Sequence, residues 1–487
     1  MGRPIRFLLN GEVRELADVA PTDTVLNWLR YEARQTGTKE GCAEGDCGAC
    51  TVALAELDDG HVRFRAVNAC ILFLPMLDGK ALFTVEALAR DGALHPVQQA
   101  MVDQHGSQCG FCTPGFVMSL YAHQRQGARA DTATLKDALA GNLCRCTGYG
   151  PILAAGQAMG PDPDAADLPA LAEALAAIRP DEPLEINHRG ARFSAPRSLA
   201  ELAAAIEARP DAVILAGGTD VGLWVTKQHR ALPDIISLNE VAELNAIEDP
   251  GGAIRIGAGV RYVDAHGPLT ALHPEFGALL RRLGGLQVRN LGAVCANIAN
   301  GSPIGDMPPA LIAAGATLVL RRGQATRTLP LEDYFLAYGK QDRARGEFVE
   351  AVIVPKPPAG QVFRLFKLSK RFDQDISAVC AAFAITVQDG AVITARIAFG
   401  GMAATPKRAL ATEAALMGQP WTETGVTLAA EALAEDFQPI SDMRASAGYR
   451  LTAAQNLLIK TFLEADQPSA QRLLQVEALA PRSLAHG

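Results

Sequence analysis

Eight of the ten cysteines in this 487-residue chain lie in its first third, in two groups of four with different spacings. The first group has a C-x4-C-x2-C loop and a fourth cysteine further along, and the second has a C-x2-C pair followed by a C-x-C pair. The groups are Cys42, Cys47, Cys50 and Cys70, then Cys109, Cys112, Cys144 and Cys146. Four thiolates are what one [2Fe–2S] cluster needs, and the first spacing is the plant-type pattern. The sequence therefore predicts two clusters and the passage of single electrons.

A structural zinc site is the alternative for each group, because zinc also takes four cysteines, usually from two C-x2-C knuckles. The first group lacks that shape, and Gly41, Gly45, Gly48 and Ala49 let its loop wrap closely around a cluster. The second group fits neither a zinc knuckle nor a standard ferredoxin pattern. Taken alone it leaves zinc or reduced core cysteines open, and its proximity to the first group favours a second cluster.

Composition and charge exclude several functional classes. Hydrophobic residues make up 49% and charged residues 20%, which is ordinary for a globular protein. The net charge is −8 with no strongly basic stretch, so nucleic-acid binding has no electrostatic support. No run of about 18 apolar residues predicts a transmembrane helix, and the N-terminus lacks the apolar core of a secretory signal. We expect a cytoplasmic protein, where clustered cysteines are more often metal ligands than disulfides.

The order of elements predicts a multidomain α+β protein. Residues 1–83 have the pattern of a small β-rich fold with one helix from Thr24 to Ala33, and residues 84–160 that of four helices. Residues 161–183 are rich in proline and acid and predict a linker that could hold one short helix. Residues 184–355 alternate strands and helices, and residues 361–487 begin with strands and end in long helices.

Three segments of the second half suggest a cofactor site without a Rossmann or Walker motif, since neither consensus occurs. A buried strand enters a double-glycine turn, whose backbone N–H groups can hold phosphate oxygens. Most such turns bind nothing. Residues 284–316 are rich in glycine and asparagine with little charge, which suits a loop that approaches a flat cofactor, and residues 366–376 form the third segment.

The cysteine segments CGACT (47–51), GSQCGFCTPG (106–115) and GNLCRCTGY (141–149) resemble the iron–sulfur domains of the molybdenum hydroxylases. That family includes xanthine dehydrogenases, aldehyde oxidases and carbon monoxide dehydrogenases. The resemblance covers residues 1–160 and implies a ferredoxin-like β-grasp [2Fe–2S] domain in 1–83 and a helical-bundle [2Fe–2S] domain in 84–160. It also implies that the helical domain's cluster lies nearest a partner's molybdenum cofactor, with Gln108 and Cys146 facing the pterin, and that the first cluster lies nearer a flavin.

The three later segments are similar to the FAD domain of the same family, which has the vanillyl-alcohol-oxidase fold and is followed by a C-terminal α+β domain. The resemblance implies that 215–221 cradle the FAD pyrophosphate, that 293–297 and Asp306 make other flavin contacts, that Lys367 faces the cofactor and that 370–375 border the NAD side. The implied FAD residues are Leu215, Ala216, Gly217, Gly218, Thr219, Asp220, Val221, Ala293, Val294, Cys295, Ala296, Asn297, Asp306 and Lys367. One departure is Cys295-Ala296-Asn297, where the family often has Gly-Gly-Asn. Apart from the resemblance, Cys295 and Cys380 are interpreted as buried core thiols.

No segment resembles a molybdopterin domain, and the fusion is similar to the small iron–sulfur/FAD subunit of bacterial xanthine dehydrogenases. This resemblance implies two [2Fe–2S] clusters, FAD and NAD+ as acceptor, with no catalytic residue in this chain beyond the flavin. It also implies a molybdenum-cofactor-binding large subunit, in a heterotetramer with two of each chain, that oxidises hypoxanthine and xanthine to urate. A hydroxylase subunit for an aldehyde, nicotinate or an aromatic acyl-CoA stays open, as does a zinc-stabilised scaffold with no enzymatic role.

Overall fold

The computed structural model describes residues 3–465, and the predicted multidomain α+β class is confirmed. The predicted C-terminal region continues to 487, and its residues 466–487 lie outside the described part. Four hydrophobic cores form in the described residues, and three of them contain residues from more than one region of the chain. Within residues 3–465, no helix is long and apolar enough to cross a membrane.

The first region is a five-stranded mixed sheet that begins with the predicted hairpin. Asn10 and Gly11 form its turn with φ of 54° and 90°, as an Asn-Gly hairpin requires. The strands, in sheet order, are Glu12–Leu16, Ile5–Leu9, Ala81–Phe83, Thr51–Asp58 and His61–Asn68. The helix predicted from Thr24 to Ala33 is a single α-turn, Val25–Asn27, that widens into a π-helical segment, Trp28–Glu32. Short 3-10 turns occupy Leu74–Leu77 and Val85–Ala87.

The second region has the four predicted helices, which are Pro96–Asp103, Thr113–Arg125, Thr132–Leu139 and Gly150–Ala158. Proline occupies the first turn of three of them, where its missing N–H costs nothing. Cys109 and Cys112 lie in the break between the first two helices, and Cys144 and Cys146 lie between the last two. The bundle thus brings both cysteine pairs to one end.

The segment predicted as a linker, 161–183, is a packed strap. It contains a 3-10 turn, Ala165–Asp167, and a helix, Leu168–Ile178, whose Leu175 and Ile178 are buried in the core that both cysteine-bearing regions share. An ion pair of 2.9 Å between Arg125 and Asp162 anchors its start. At least one of the acidic residues that suggested a solvated linker, Asp162, therefore holds the segment to the second region.

The third region contains two sheets with helices against them. The smaller sheet orders its strands Leu184–His188, Ala191–Ala195, Asp234–Ser237 and Val213–Leu215; the larger, antiparallel one orders Ile247–Glu248, Ala253–Gly257, Phe348–Pro355, Thr317–Arg322 and Ala325–Pro330. A small hairpin pairs Phe335–Ala337 with Lys340–Gln341. The helices are Leu199–Ala208, Val221–Thr226, Tyr262–Leu272, Pro274–Arg281, Leu286–Arg289, Val294–Asn300 and Met307–Ala313, with 3-10 turns at Ala242–Leu244 and Leu331–Tyr334.

Residues 284–316, interpreted from their composition as a loop, contain three of these helices. Their apolar residues, including Val294, Ile298 and Leu311, repeat at helical spacing and are fully buried. The glycine and asparagine residues that suggested a loop instead separate and end the helices, as at Gly301, which has φ of 65° after Asn300.

The fourth region is a four-stranded antiparallel sheet covered by helices. Its strands run in sheet order Val362–Leu368, Val379–Gln388, Ala391–Gly400 and Lys407–Arg408. Its helices are Leu410–Leu416, Glu423–Glu431, Leu433–Asp436 and Ala447–Leu463. The predicted order of strands before helices is present in the described residues.

Candidate functional site: a cavity beside two groups of cysteines

The first cysteine group is brought together by the loop 41–50 and by the end of the strand His61–Asn68. The thiol of Cys42 lies against those of Cys47 and Cys70, and Cys70 also contacts Cys50. The backbone N–H groups of Cys47 and Glu44 point at Cys42 Sγ, at 3.3 and 3.5 Å. Hydrogen bonds from the neighbouring thiols hold the pKa of Cys42 far below its ordinary value. The same thiol contacts raise the pKa of Cys47 and of Cys70, so it is the two backbone N–H groups that favour an anionic sulfur at Cys42, the form that binds a metal.

Glycine is required in this loop by space as well as by conformation. Gly45 and Gly48 have φ of 76° and 68°. A Cβ on Gly41 would lie 2.7 Å from Cys47 Sγ, and one on Gly48 would lie 2.2 Å from the carbonyl oxygen of Gly141. The second of these contacts is with the other cysteine-bearing region, so the two loops touch backbone to backbone.

The second group forms two pairs, with Cys109 against Cys146 and Cys112 against Cys144. Cys144 Sγ also lies 3.4 Å from the N–H of Thr147 and 3.2 Å from its hydroxyl. Each iron of a [2Fe–2S] cluster takes two thiolates, which suits paired thiols. Within the described residues, no three His, Cys, Asp or Glu side chains are arranged around a single metal ion.

The two groups differ in exposure. Cys50 and Cys70 are buried, whereas Cys109 and Cys146 are exposed to solvent. Around the second group three apolar side chains are also exposed, namely Phe111, Leu143 and Tyr149. An exposed redox group with an apolar rim is the arrangement expected where another protein docks.

A cavity of 770 Å³ lies beside the first group, within the range that accommodates a large cofactor. Twelve of the fourteen residues implied by the resemblance line it: Ala216, Gly217, Gly218, Thr219, Asp220, Val221, Ala293, Cys295, Ala296, Asn297, Asp306 and Lys367. Leu215 and Val294 do not line it, because their side chains are fully buried in two hydrophobic cores.

The double-glycine turn forms one wall of the cavity. A Cβ on Gly217 would lie 1.8 Å from the carbonyl oxygen of Leu291, so no other residue fits there without moving the backbone. Gly218 has φ of 73°, which favours glycine. The turn leads into the helix Val221–Thr226, whose Gly222 packs against Ile71, the residue after Cys70. This wall and the first cysteine group are therefore held in contact.

Lys367 and Asp306 form a buried ion pair of 2.5 Å in the cavity wall. The hydroxyl of Ser377 donates to the other carboxylate oxygen, also at 2.5 Å. The resemblance predicted that both residues contact the cofactor and did not predict the pair. The charge that Lys367 brings to the cavity is therefore balanced within the protein.

Residues other than the fourteen implied FAD contacts also line the cavity, among them Tyr262 and, from the segment predicted to border the NAD side, Gln374. Tyr262 is fully buried, and burial raises the pKa of its hydroxyl well above the ordinary value. Gln374 has φ of 48°. Its buried Oε1 and the buried Oδ1 of Asn297 have no hydrogen-bond partner among the residues that the structure describes. FAD brings hydroxyl and ring N–H donors that could satisfy such acceptors. Together with the size and the glycine wall, these oxygens show that the residues fit FAD.

Cys295, where the family often has glycine, lines the cavity as an inert thiol. Burial raises its pKa to about 12, and its Sγ lies 3.6 Å from the carbonyl oxygen of Ile256. A neutral, buried thiol is a poor nucleophile. The predicted burial of Cys380 is also observed, and burial raises its pKa well above the ordinary value.

The loop of the first cysteine group contributes to the cavity itself, through Glu44, Gly45 and Asp46. Glu44 approaches Lys227, just beyond the helix that follows the glycine turn, at 3.6 Å. Behind the loop, Glu56 binds Arg65 at 2.8 Å and Arg261 of the third region at 2.9 Å. The cavity is therefore adjacent to the first group, and none of the four cysteines of the second group lines it.

Comparison with known proteins agrees with this arrangement. Four family models match successive parts of the chain: a 2Fe-2S iron-sulfur cluster binding domain at 7–74, a [2Fe-2S] binding domain at 84–157, the FAD binding domain in molybdopterin dehydrogenase at 188–357, and the CO dehydrogenase flavoprotein C-terminal domain at 364–465. The chain belongs to the molybdenum hydroxylase family. The predicted complement of two [2Fe–2S] domains and one FAD domain is confirmed.

Curated relatives of the chain include xanthine dehydrogenases. That of Drosophila subobscura is 31% identical over 98% of this chain, and the xanthine dehydrogenase/oxidase of Gallus gallus is 30% identical over 87%. The alignments cover 40% and 37% of those proteins. The chain thus spans well under half the length of the relatives it matches.

Similar solved structures cover little more than half of the chain. A carbon monoxide dehydrogenase chain from Hydrogenophaga pseudoflava is 29% identical with a TM-score of 0.54, and covers 57% of this chain and 98% of its own. A chain of quinoline 2-oxidoreductase from Pseudomonas putida 86 is 26% identical with a TM-score of 0.52, and covers 56% and 95%.

Proposed function

We propose that this chain is the electron-transfer and NAD+-reducing subunit of a xanthine dehydrogenase. In this proposal a partner subunit with the molybdenum cofactor oxidises hypoxanthine and xanthine to urate, and the electrons leave through this chain. The similarity to xanthine dehydrogenases over nearly the whole chain supports that activity. The clustering of eight cysteines with the spacing of metal ligands supports a cytoplasmic location.

The order of the redox groups carries the proposal. The loop between Cys42 and Cys47 forms part of the cavity wall, whereas Cys109 and Cys146 are exposed. A relay needs one group at the surface where electrons enter and another against the flavin. This chain has one cysteine group in each position.

In this proposal the eight clustered cysteines bind the two clusters, and the twelve cavity residues named above bind FAD. When bound, the clusters would pass single electrons and FAD would collect two for transfer as hydride to NAD+. The protein keeps the first group dry by burying Cys50 and Cys70, and it holds Asp306 in place through Lys367 and Ser377. No side chain of this chain acts as a general base for purine oxidation.

Two surfaces are assigned to partners. The exposed surface around Cys109 and Cys146, with Gln108 and the apolar rim of Phe111 and Tyr149, is proposed as the docking site of the molybdenum subunit in a heterotetramer. The loop 370–375 is proposed as the NAD+ side. Its Gln374 and Asp375 line the cavity, while Arg371 is largely exposed.

A different substrate for the partner subunit is the second candidate. The solved relatives include proteins named for quinoline and for carbon monoxide, and each is similar to this chain over more than half its length. The substrate pocket of such an enzyme would lie on the partner, so the features described here are equally compatible with an aldehyde, nicotinate or aromatic acyl-CoA hydroxylase.

The deciding experiment is anaerobic purification of the chain from its native host, with its partner, followed by metal and flavin analysis. We expect about four irons and one FAD per chain, bleaching of the visible spectrum by dithionite, and reduction by NADH. Xanthine-dependent NAD+ reduction by the complex would assign the substrate. Bound zinc without iron or flavin would overturn the proposed electron relay. A complex that is active but does not oxidise xanthine would favour the second candidate, a different substrate for the partner subunit.

A further inference from the structure

Gln287 is buried where the FAD-binding region meets both cysteine-bearing regions. It lies on the short helix Leu286–Arg289 and is 1% exposed. Its Nε2 lies 2.9 Å from Asn142 Oδ1 and 3.2 Å from both Thr51 Oγ1 and Ser119 Oγ. Thr51 belongs to the first region, and Ser119 and Asn142 belong to the second. One amide group therefore bonds across three regions.

Two of the three acceptors, Thr51 and Asn142, adjoin the two cysteine loops, and the third, Ser119, lies on the helix Thr113–Arg125. The hydroxyl of Thr51 donates to the carbonyl oxygen of Gly48, inside the first loop, at 2.6 Å. Asn142, two residues before the second group's third cysteine, donates to the same oxygen at 3.1 Å. The N–H of Leu143 donates to the carbonyl oxygen of Cys47 at 3.0 Å. The amide of Gln287 thus joins a network that ties the two loops together.

The packing leaves this network no room to shift. Gln287, Thr51, Ser119 and Asn142 are each at most 2% exposed. A Cβ on Gly141 would lie 1.6 Å from Gln287 Oε1. Three acceptors surround the amide nitrogen and share its two hydrogens, so removing the amide would take away two donated hydrogen bonds, which is costly for buried polar groups. Gln287 Oε1 is buried without a hydrogen-bond partner among residues 3–465, so the side chain connects the three regions through its nitrogen alone.

We propose that Gln287 is a positioning residue that fixes the distance between the two clusters and the position of both relative to the flavin cavity. Its neighbours Gly285 and Val288 line that cavity, so the helix that holds the loops also forms the cofactor wall. This inference rests on the proposed function. The simpler alternative is that the network contributes only to the stability of the fold.

The test replaces Gln287 by methionine, which keeps the length of the side chain and removes the amide. Electron paramagnetic resonance of the dithionite-reduced full chain reports the magnetic interaction between two reduced clusters, which depends steeply on their separation. We expect Gln287→Met to retain iron and FAD but to lose or change that interaction.

The matched control is Gln124→Met. Gln124 is 4% exposed, and its Nε2 donates to the carbonyl oxygens of Met159, Gly160 and Pro161, all away from the junction of the two loops. This variant removes the same group from an equally buried site. We expect it to lower the melting temperature and to leave the magnetic interaction unchanged.

The outcomes separate the two proposals. A wild-type chain without iron or flavin overturns the proposed function, and with it this inference. A loaded wild-type chain whose magnetic interaction is the same in Gln287→Met overturns only the role of Gln287, as does an equal change in Gln124→Met. If Gln287→Met does not fold, Ser119→Ala replaces it: a changed interaction supports the positioning role, and an unchanged one overturns it.

Discussion

The two cysteine loops contain the same number of thiols but lie in opposite surroundings. The first is wedged between its own sheet and the FAD-binding region, with Cys50 and Cys70 buried and Glu44 in the cavity wall. The second has Cys109 and Cys146 at the surface. The first loop is therefore part of the cavity wall, whereas the second lies outside it and contacts a helix of that wall through Asn142, which accepts from Gln287.

This difference has a physical basis in the sequence around each loop. Ile71, directly after Cys70, packs in the same core as the strand Val213–Leu215 and against Gly222. No such apolar residue follows the second group, where Thr147 and Gly148 are partly or fully exposed. The residue that follows Cys70 is buried against the FAD-binding region, whereas those that follow Cys146 are not, and this explains why the first loop is the one packed against that region.

The largest expected effect compares a cysteine from each loop. Cys47→Ser should lose one cluster, about half of the iron, and also most of the FAD, because its loop forms the cavity wall. Cys109→Ser should lose a similar amount of iron and keep the FAD. Iron and flavin are quantified in the purified chains. Equal FAD content in the two variants would show that the first loop does not support the cavity.

The second prediction concerns the glycine wall of the cavity. Gly217→Ala places a Cβ 1.8 Å from the carbonyl oxygen of Leu291, so the backbone must move at a cost of about 1–3 kcal/mol. We expect FAD loss while both clusters stay bound. Gly252→Ala in the same region is the control, since nothing lies within 4 Å of its added Cβ. Unchanged FAD affinity in Gly217→Ala, measured by fluorescence titration, would contradict this account of the turn.

The sequence predicted the order of elements and the location of both cysteine groups well, because cysteine spacing, turn residues and apolar periodicity are local signals. It also predicted that Gly217, Asn297 and Lys367 belong to one cofactor site, through the resemblance. The geometry agrees in that all three line one cavity. Their contacts with FAD stay a prediction.

What the sequence did not predict depends on contacts between distant residues. The pairing of Lys367 with Asp306 spans 61 positions, and the bond from Gln287 to Thr51 spans 236. No periodicity or spacing rule connects such residues. The interpretation of 284–316 as a loop was wrong for a related reason. Its glycine and asparagine content is typical of loops, and its helices are short and depend on tertiary packing for their stability.

The third prediction tests how the first loop is held to the FAD-binding region. Burial alone would raise the pKa of Glu56, but Arg261 and Arg65 lower it well below its ordinary value. Glu56→Gln removes the carboxylate that Arg65 and Arg261 share; Arg65 keeps Asp264 at 2.9 Å, whereas Arg261 loses the partner of both its bonds, at a cost of about 3 kcal/mol. The exposed pair of Glu12 and Arg14 is the control, and Glu12→Gln should change stability by about 0–1 kcal/mol.

The same pair predicts a pH dependence. The folded-state pKa of Glu56 lies below the unfolded value of about 4.3, so its stabilisation is complete above that pH and is lost as the pH falls toward the folded value. Urea unfolding between pH 7 and pH 3 should show wild type losing more stability than Glu56→Gln. Parallel pH profiles would show that this ion pair does not hold the interface.

The smallest expected effect concerns thiol reactivity, and it compares a cavity cysteine with a surface one. Cys295 has its pKa raised to about 12 by burial, so its thiolate fraction at pH 8 is on the order of one in ten thousand. Iodoacetamide should label Cys109 in cluster-free folded chain and leave Cys295 unlabelled, as identified by peptide mass. Since alanine is smaller than cysteine and also apolar, Cys295→Ala should keep FAD affinity within about twofold, a change of roughly 0.4 kcal/mol. Rapid labelling of Cys295 in the folded chain would mean that the wall of the cavity opens to solvent. The contrast in exposure would then hold for the two cysteine loops but would not extend to the cavity beside the first loop.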